Sequence, residues 1–317
     1  MIQTLRQSGT LLGFAAILIF LTAQLPDTFL TARNLINISQ QLSMLAVVAA
    51  TMTIVMVMND FDLSVGSMAS LAGVVAAVLF AAGFPVSVGL LAALGVGLLG
   101  GVFNGFLVSV LGILPFVATL GTLTVFSGTA FLISDGKTVF GRDIPASFSG
   151  FARAGVEIGD VKIPFLTLTA LAVITLCWFV LEQTNFGRRL YAIGGNLDAA
   201  HLAGIRVKRL RLIAFALTGL GAAVAGLMYA ARVASANPTQ GSGLMLDAIA
   251  AVFLGMTMSR QGEPRVLYTL VGVLMLGVLD NGLTQLRVDN YVREILVGLI
   301  VTSAVATAAV SKRNTQS

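Results

Sequence analysis

Long apolar runs separated by short polar connectors dominate the chain. Ten stand out, at residues 11–25, 41–58, 68–80, 85–110, 115–133, 164–181, 212–233, 247–258, 266–283 and 291–310. About 20 mostly apolar residues in a helix cross the hydrocarbon of a bilayer. The runs at 68–80 and 247–258 are short, and the second reads as a broken or re-entrant segment lengthened by Leu244–Met245–Leu246. The pattern predicts an all-α polytopic membrane protein with about ten transmembrane helices, forming a single domain over residues 1–317. Arg6 gives the first run a weak basic start. No small-x-small cleavage site follows it, so it is expected to stay as an anchor helix.

The longest polar stretches are 134–162 and 182–211. The second carries Arg188, Arg189, Arg206, Lys208, Arg209 and Arg211, which makes it cytoplasmic by the positive-inside rule. Alternation then puts both termini in the cytoplasm, with Arg260, Arg265, Lys312 and Arg313 also inside. It makes 134–162 the main outer loop.

Composition narrows the class further. Only 10% of residues are charged and 57% are hydrophobic, against about 25% charged in soluble domains. This excludes an ordinary soluble enzyme, a disordered chain and a disulfide scaffold. The net charge of +5 is spread through short loops as topology-setting arginines, so no nucleic-acid partner is expected. The lone Cys177 forms no intrachain disulfide. The lone His201, expected at the surface, excludes a His-rich metal site and argues against a histidine proton relay.

Gly101-Val102-Phe103-Asn104-Gly105 is echoed by Gly277-Val278-Leu279-Asp280-Asn281-Gly282, and each lies downstream of a short span opening with an acid, Asp62 or Asp247. The offset is five spans, and an odd offset inverts orientation, which suggests two inverted five-span halves. Ala93, Gly97, Gly101 and Gly105 line one helix face, as do Ala222, Gly226 and Ala230. Both stripes are packing features that admit a close backbone. Gly95–Gly100 matches a dinucleotide fingerprint but sits inside an apolar span without a preceding strand. Gly136-Lys137-Thr138 lacks the first glycine of a phosphate loop. The chain is therefore expected to carry no ATP site, and no cofactor or metal of its own.

Asp60, Asp62, Asp247 and Asp280 sit in or beside apolar runs, where an ionised acid costs roughly 2.5–3.5 kcal/mol at mid-bilayer. Helix capping is one reason for them: Asp62 over the amides of Ser64 or Val65, and Asp247 over its own run. A polar lining for a hydrophilic solute is the other. Asp62, Ser64, Asn104, Asp247 and Asn281 are the candidate substrate-pathway residues, the two asparagines having cross-helix bonding as an alternative role. In the 182–211 loop, residues 197–205 read as a short helix, with Asn196 as N-cap, Asp198 in the first turn and Gly204 at the end.

Four blocks carry a resemblance. They are Asp62-Leu63-Ser64-Val65-Gly66-Ser67; Pro115 through Thr122; Phe186-Gly187-Arg188 through Gly194-Gly195-Asn196, Ala199-Ala200 and Ala203-Gly204-Ile205; and Leu246-Asp247-Ala248-Ile249-Ala250-Ala251-Val252. In order and at matching span positions, they resemble the ribose-type permeases of bacterial ABC sugar importers. The resemblance implies a permease subunit in the bacterial inner membrane that moves a small sugar by alternating access. It implies three partners: a cytoplasmic ABC ATPase that binds ATP and Mg, a periplasmic solute-binding protein, and a second, identical or paralogous permease subunit. It places ATPase coupling on Gly187, Arg188, Gly194, Gly195, Asn196, Ala199 and Gly204. Two segments depart from the family pattern: Asn59-Asp60-Phe61, where two glycines are usual, and 256–265, where the family is glycine-rich. Two rival readings are an ion-coupled secondary transporter using the four carboxylates, and, with little support, a membrane enzyme.

Overall fold

The computed structural model describes residues 2–299, except 160, 260, 290 and 293, together with residue 302. Most of the tenth apolar run, and Arg260, Lys312 and Arg313, lie outside the described residues.

Among the described residues the chain is nearly all helix. The elements are α1 (Ile2–Gln24), α2 (Ala32–Met56), α3 (Val65–Ala81), α4 (Val86–Ser109), α5 (Pro115–Ser134), α6 (Ala146–Arg153), α7 (Phe165–Trp178), α8 (Asn185–Gly195), α9 (Leu197–Leu202), α10 (Val207–Val233), α11 (Leu244–Met258) and α12 (Val266–Gln285). α7 continues as a π-helical turn, Phe179–Gln183. Six helices are long and apolar enough to cross a membrane: α2, α4, α5, α7 with its extension, α10 and α12. α3, α11 and residues Thr10–Gln24 of α1 are apolar but shorter. Local chemistry sets the ends. Thr31 caps α2 by accepting from the Asn34 amide, Pro115 opens α5 where no amide donor is needed, and Asp135 closes α5 in the left-handed region.

The expectation of an all-α chain needs a correction at the connectors. β1 (Val139–Phe140) pairs antiparallel with β4 (Ser235–Ala236), and β2 (Gly155–Ile158) forms a hairpin with β3 (Val161–Pro164). These strands, with α6, fold the 134–162 stretch over one end of the bundle. A long polar connector must satisfy its own backbone donors and acceptors, and short ladders do so. This end is the upper end below. The opposite, lower end carries α8 and α9.

α10 is the central post, packed on α2, α3 and α4. Both small-residue stripes serve it. A Cβ on Gly97 would lie 2.6 Å from the Gly219 carbonyl, one on Gly101 2.3 Å from the Phe215 carbonyl, and one on Gly226 2.0 Å from the Ala69 carbonyl of α3. Lipid is as apolar as leucine, so close van der Waals packing, rather than exclusion from water, holds such helices together. α4 packs on α3 and α10, and in the same way α12 packs on α11 and α2.

The connection between α10 and α11 does not stay outside the bundle. The Gly241 amide donates to Ser70 Oγ at 2.8 Å, Gln240 Nε2 reaches the Gly226 carbonyl at 3.5 Å, and the Gly241 and Gly66 backbones touch. Residues 237–243 therefore dip between α3 and α10, which shortens α11. Irregular backbone at this depth needs polar partners, and Ser70 and Gly226 provide them.

Candidate functional site

The dipping connection forms the floor of a polar cleft of about 340 Å³. Its polar wall comes from five places: Gln41 on α2, Tyr229 and Arg232 on α10, Gln240 and Ser242 on the connection, Asp247 on α11 and Asp280 on α12. Leu42, Met44, Leu45 and Leu276 are among the residues of its apolar side. Gln41 Nε2 donates to Asp280 Oδ2. The expected capping role of Asp247 is not realised. α11 begins three residues earlier, with Gly243 at its N-cap position and the Asp247 amide bonded to the Gly243 carbonyl at 3.2 Å. The Asp247 side chain lines the cleft instead. Ser242 also lines a second chamber of about 150 Å³, where Ser67, Ser70, Ser127 and Thr239 present hydroxyls and Leu63 closes one side. The two spaces share Ser242, and the second, whose walls are mainly apolar (Leu63, Leu123, Pro238, Met245), lies toward the start of α3.

Next to Leu63 of this chamber lies a sealed polar knot. Asp62 Oδ1 accepts from the Ser64 amide at 2.9 Å and from Ser64 Oγ at 2.6 Å, and Asn104 Nδ2 donates to Ser64 Oγ at 2.8 Å and approaches Asp62 Oδ1 at 3.3 Å. All three side chains are buried. Asn104 Oδ1 is a buried acceptor with no partner among the described residues. The expected Asp62–Ser64 amide bond forms, but α3 starts at Val65 with Ser64 at its N-cap position, so Asp62 braces the turn before the helix rather than capping it. The structure thus brings Asp62, Ser64 and Asn104 together, places Asp247 in the upper cleft, and puts Asn281 in neither. Asn281 and Asn34 exchange amide hydrogen bonds at 3.0 and 3.1 Å, clamping α12 to α2.

Three comparisons bear on this architecture. Residues 34–305 match the family described as the permease component of the branched-chain amino acid transport system. The ribose import permease of Bacillus subtilis is 36% identical over 301 residues, covering 95% of this chain and 92% of its own. That of Escherichia coli K12 is 37% identical over 91% of this chain and 89% of its own. The D-allose permease of the same strain is 33% identical over 94% and 90%. The chain belongs to the ABC-importer permease family. Such relatives are transport subunits rather than enzymes, and the chain is a multi-pass membrane protein of this kind. No solved structure matches it.

The lower end of this permease is built around the 182–211 stretch. Residues 185–195, which open the expected cytoplasmic loop, form the helix α8. Thr184 caps it by accepting from the Gly187 amide at 3.4 Å. Gly187 is required because a Cβ there would lie 1.9 Å from the Leu181 carbonyl. Asn196 caps α9 as expected, its Oδ1 accepting from the Ala199 amide at 2.9 Å. α9 stops at Leu202, short of residue 205, and Gly204 turns the chain at φ 73°. Arg188 reaches back to Asn185 at 2.6 Å and stays exposed, as do Gly195, Ala199 and His201. Leu202, 91% exposed, projects from α9.

α8 is bolted to the connection between α2 and α3. A Cβ on Gly194 would lie 1.9 Å from the Val57 carbonyl, and Asn59 Nδ2 donates to the Gly194 carbonyl at 2.6 Å. Asn59 adopts φ 61°, a conformation asparagine tolerates and glycine otherwise provides. Asp60 next to it forms a bidentate pair with Arg211, Nε–Oδ2 2.7 Å and Nη2–Oδ1 2.9 Å. The two departures at 59 and 60 are thereby absorbed. Asn59 replaces a glycine's freedom, and Arg211 neutralises the extra charge.

The atypical 256–265 segment also docks here. Arg265 pairs with Glu182 at 3.2 Å, and the Tyr191 hydroxyl lies 3.0 Å from both Glu182 Oε1 and the Pro264 carbonyl, its one proton shared between them. Burial, reinforced by the Glu182 charge, pushes the Tyr191 phenol well above its ordinary value. Sequence reasoning missed the cleft residues Gln41, Tyr229, Arg232 and Gln240. Arg232 alone left a signal, a charge within an apolar run.

Proposed function

We propose that the chain is the membrane-spanning subunit of an ATP-driven importer of a small sugar or sugar-like solute in the bacterial inner membrane. Both termini and α8–α9 face the cytoplasm, and the cleft opens toward the outer side. The observation that carries this reading is the polar Gln41–Arg232–Asp247–Asp280 cleft, which shares Ser242 with a smaller chamber lying toward the Asp62–Ser64–Asn104 knot. Hydroxyls both donate and accept hydrogen bonds. Two carboxylates, a guanidinium and amides around one space match a polyol at every orientation. The relatives named for ribose and D-allose import support the same solute class.

Alternating access follows from the connections. A separate ATPase, carrying ATP and Mg, docks on α8 and α9, with Leu202 and the Gly194-Gly195-Asn196 turn at the contact. Displacement of α8 pulls on Val57 and Asn59, and through Asp60 and Arg211 on α10. Those are the elements that flank the knot. A periplasmic binding protein delivers solute to the cleft, and a second permease subunit completes the pathway. The inverted repeat fits the packing, since α4 against α10 and α12 against α2 are equivalent pairs under a five-span offset, as are the short helices α3 and α11.

Reconstitution with the co-purifying ATPase and binding protein, assayed for ATP-dependent uptake of labelled ribose and related sugars, tests this. Uptake driven by an ion gradient without ATP would overturn it in favour of ion coupling. Asp60 and Asp62, engaged by Arg211, Ser64 and Asn104, argue against that outcome.

A further inference from the structure

A second cleft, of about 530 Å³, opens at the lower end between α8 and the base of α10. Arg189, Arg206 and Arg209 line it, with the Ala203-Gly204-Ile205 turn on one side and Leu210 and Ile213 behind. No carboxylate lines it, and among the described residues none pairs with these three arginines. The contrast with Arg211, two residues beyond Arg209, is informative. Where this end of the fold uses an arginine to hold itself together, it supplies Asp60. The three in the cleft are exposed and have no carboxylate partner among the described residues, so their guanidinium donors face the cleft open to an anion.

The walls say which anion. The arginines sit at the mouth, while Leu210 is buried and Ile213 lies on the first turn of the apolar run beginning at Leu212. The surface therefore grades from cationic to apolar along α10, in the direction in which α10 enters the bilayer. Guanidinium groups bind phosphate oxygens bidentately and desolvate more readily than ammonium groups. A free inorganic anion would use only the mouth. An amphipathic molecule would use both parts.

We propose that this cleft is a binding site for an anionic phospholipid, its headgroup phosphate held by Arg189, Arg206 and Arg209 and its acyl chain leaving along Leu210 and Ile213. Bound there, the lipid would brace the hinge between α9 and α10, next to the Asp60–Arg211 pair.

The test is native mass spectrometry of the purified full chain in detergent, titrated with dioctanoyl phosphatidylglycerol, dioctanoyl phosphatidylcholine or inorganic phosphate. The wild type is expected to prefer phosphatidylglycerol over phosphatidylcholine. Each arginine-to-glutamine change should cost about fivefold in phosphatidylglycerol affinity, from the usual contribution of one basic residue near an anionic surface. Arg206→Gln alone gives a reading if the triple variant Arg189→Gln/Arg206→Gln/Arg209→Gln does not fold, and Ile213→Gln should weaken the lipid without changing phosphate binding. The proposal fails if the triple variant keeps the wild-type preference. It fails equally if inorganic phosphate binds as tightly as the lipid. A triple variant that retains the lipid but releases the co-purified ATPase would also overturn it and reassign the arginines to an acidic surface on that partner.

Discussion

Arg211→Met would strand Asp60 as a buried carboxylate. The pair is bidentate, with N–O distances of 2.7 and 2.9 Å, and the Asp60 side chain is 3% exposed. Removing one member of such a pair typically costs about 3–5 kcal/mol, because the remaining charge keeps its desolvation penalty and loses its compensation. The Arg211 side chain is 20% exposed, and the water at that edge screens the interaction. A loss of about 2–4 kcal/mol is therefore expected. Asp60→Asn alone leaves a guanidinium that can still turn toward water, so its cost should be smaller, about 1–2 kcal/mol. The double variant carries neither charge and should be more stable than Arg211→Met alone. A four-member cycle measured by reversible unfolding in mixed micelles isolates the coupling, expected at about 1.5 kcal/mol or more. Because the pair ties the α2–α3 connection to α10, Arg211→Met should also lower ATP-driven uptake by more than it lowers expression. A cost below about 0.5 kcal/mol for Arg211→Met, or a cycle with no coupling, would refute the argument that burial makes this pair structural.

Further outcomes follow from neighbouring geometry. Gly194→Ala places a Cβ 1.9 Å from the Val57 carbonyl and should cost about 1–3 kcal/mol while uncoupling ATP hydrolysis from uptake. Gly195→Ala, with no atom within 4 Å, is the matched control for stability, and an equal stability cost for the two would remove the bolt between α8 and the α2–α3 connection. Gly101→Ala, 2.3 Å from the Phe215 carbonyl, should destabilise by a similar amount in thermal unfolding. Gly95→Ala, with open space around it, should be neutral or stabilising by up to about 1 kcal/mol. Asp247→Asn should reduce the uptake ratio kcat/KM by roughly tenfold at unchanged expression, through loss of a charged acceptor for a solute hydroxyl; unchanged uptake would remove Asp247 from the pathway. Tyr191 gives a pH signature. Burial holds its phenol above the ordinary tyrosine range of about 10 in the folded state, so its stabilising contribution is complete below about pH 10 and falls as pH rises beyond it, when the unfolded chain ionises first. Tyr191→Phe should cost about 1 kcal/mol at neutral pH and show a shallower alkaline loss of stability than the wild type, measured by unfolding between pH 8 and 11.

What depends on short-range order along the chain is legible in the residues alone. Apolar runs of bilayer length placed the helices, because an unpaired backbone is intolerable in hydrocarbon and the helix pairs it locally. Two glycine and alanine stripes announced close packing, since spacing alone puts them on one face. Asn196 and the Asp62–Ser64 turn were legible because a cap and its amide lie within three residues. α8 was obscured by a run of Gly and Arg, and only its contacts with Leu181, Val57 and Pro264 explain it.

The tertiary structure decided what joins residues far apart in the chain. Asp60 meets Arg211, Asn59 meets Gly194, and Glu182 meets Arg265, separations that no local pattern encodes. It also separated the expected pathway residues into an upper cleft, a lower knot and a helix clamp. Polar side chains on an apolar helix look alike in sequence. Whether one meets solute, partner or neighbouring helix depends on which face the packing turns inward, and here the Gly-lined contacts of α10 with α3 and α4 set that rotation.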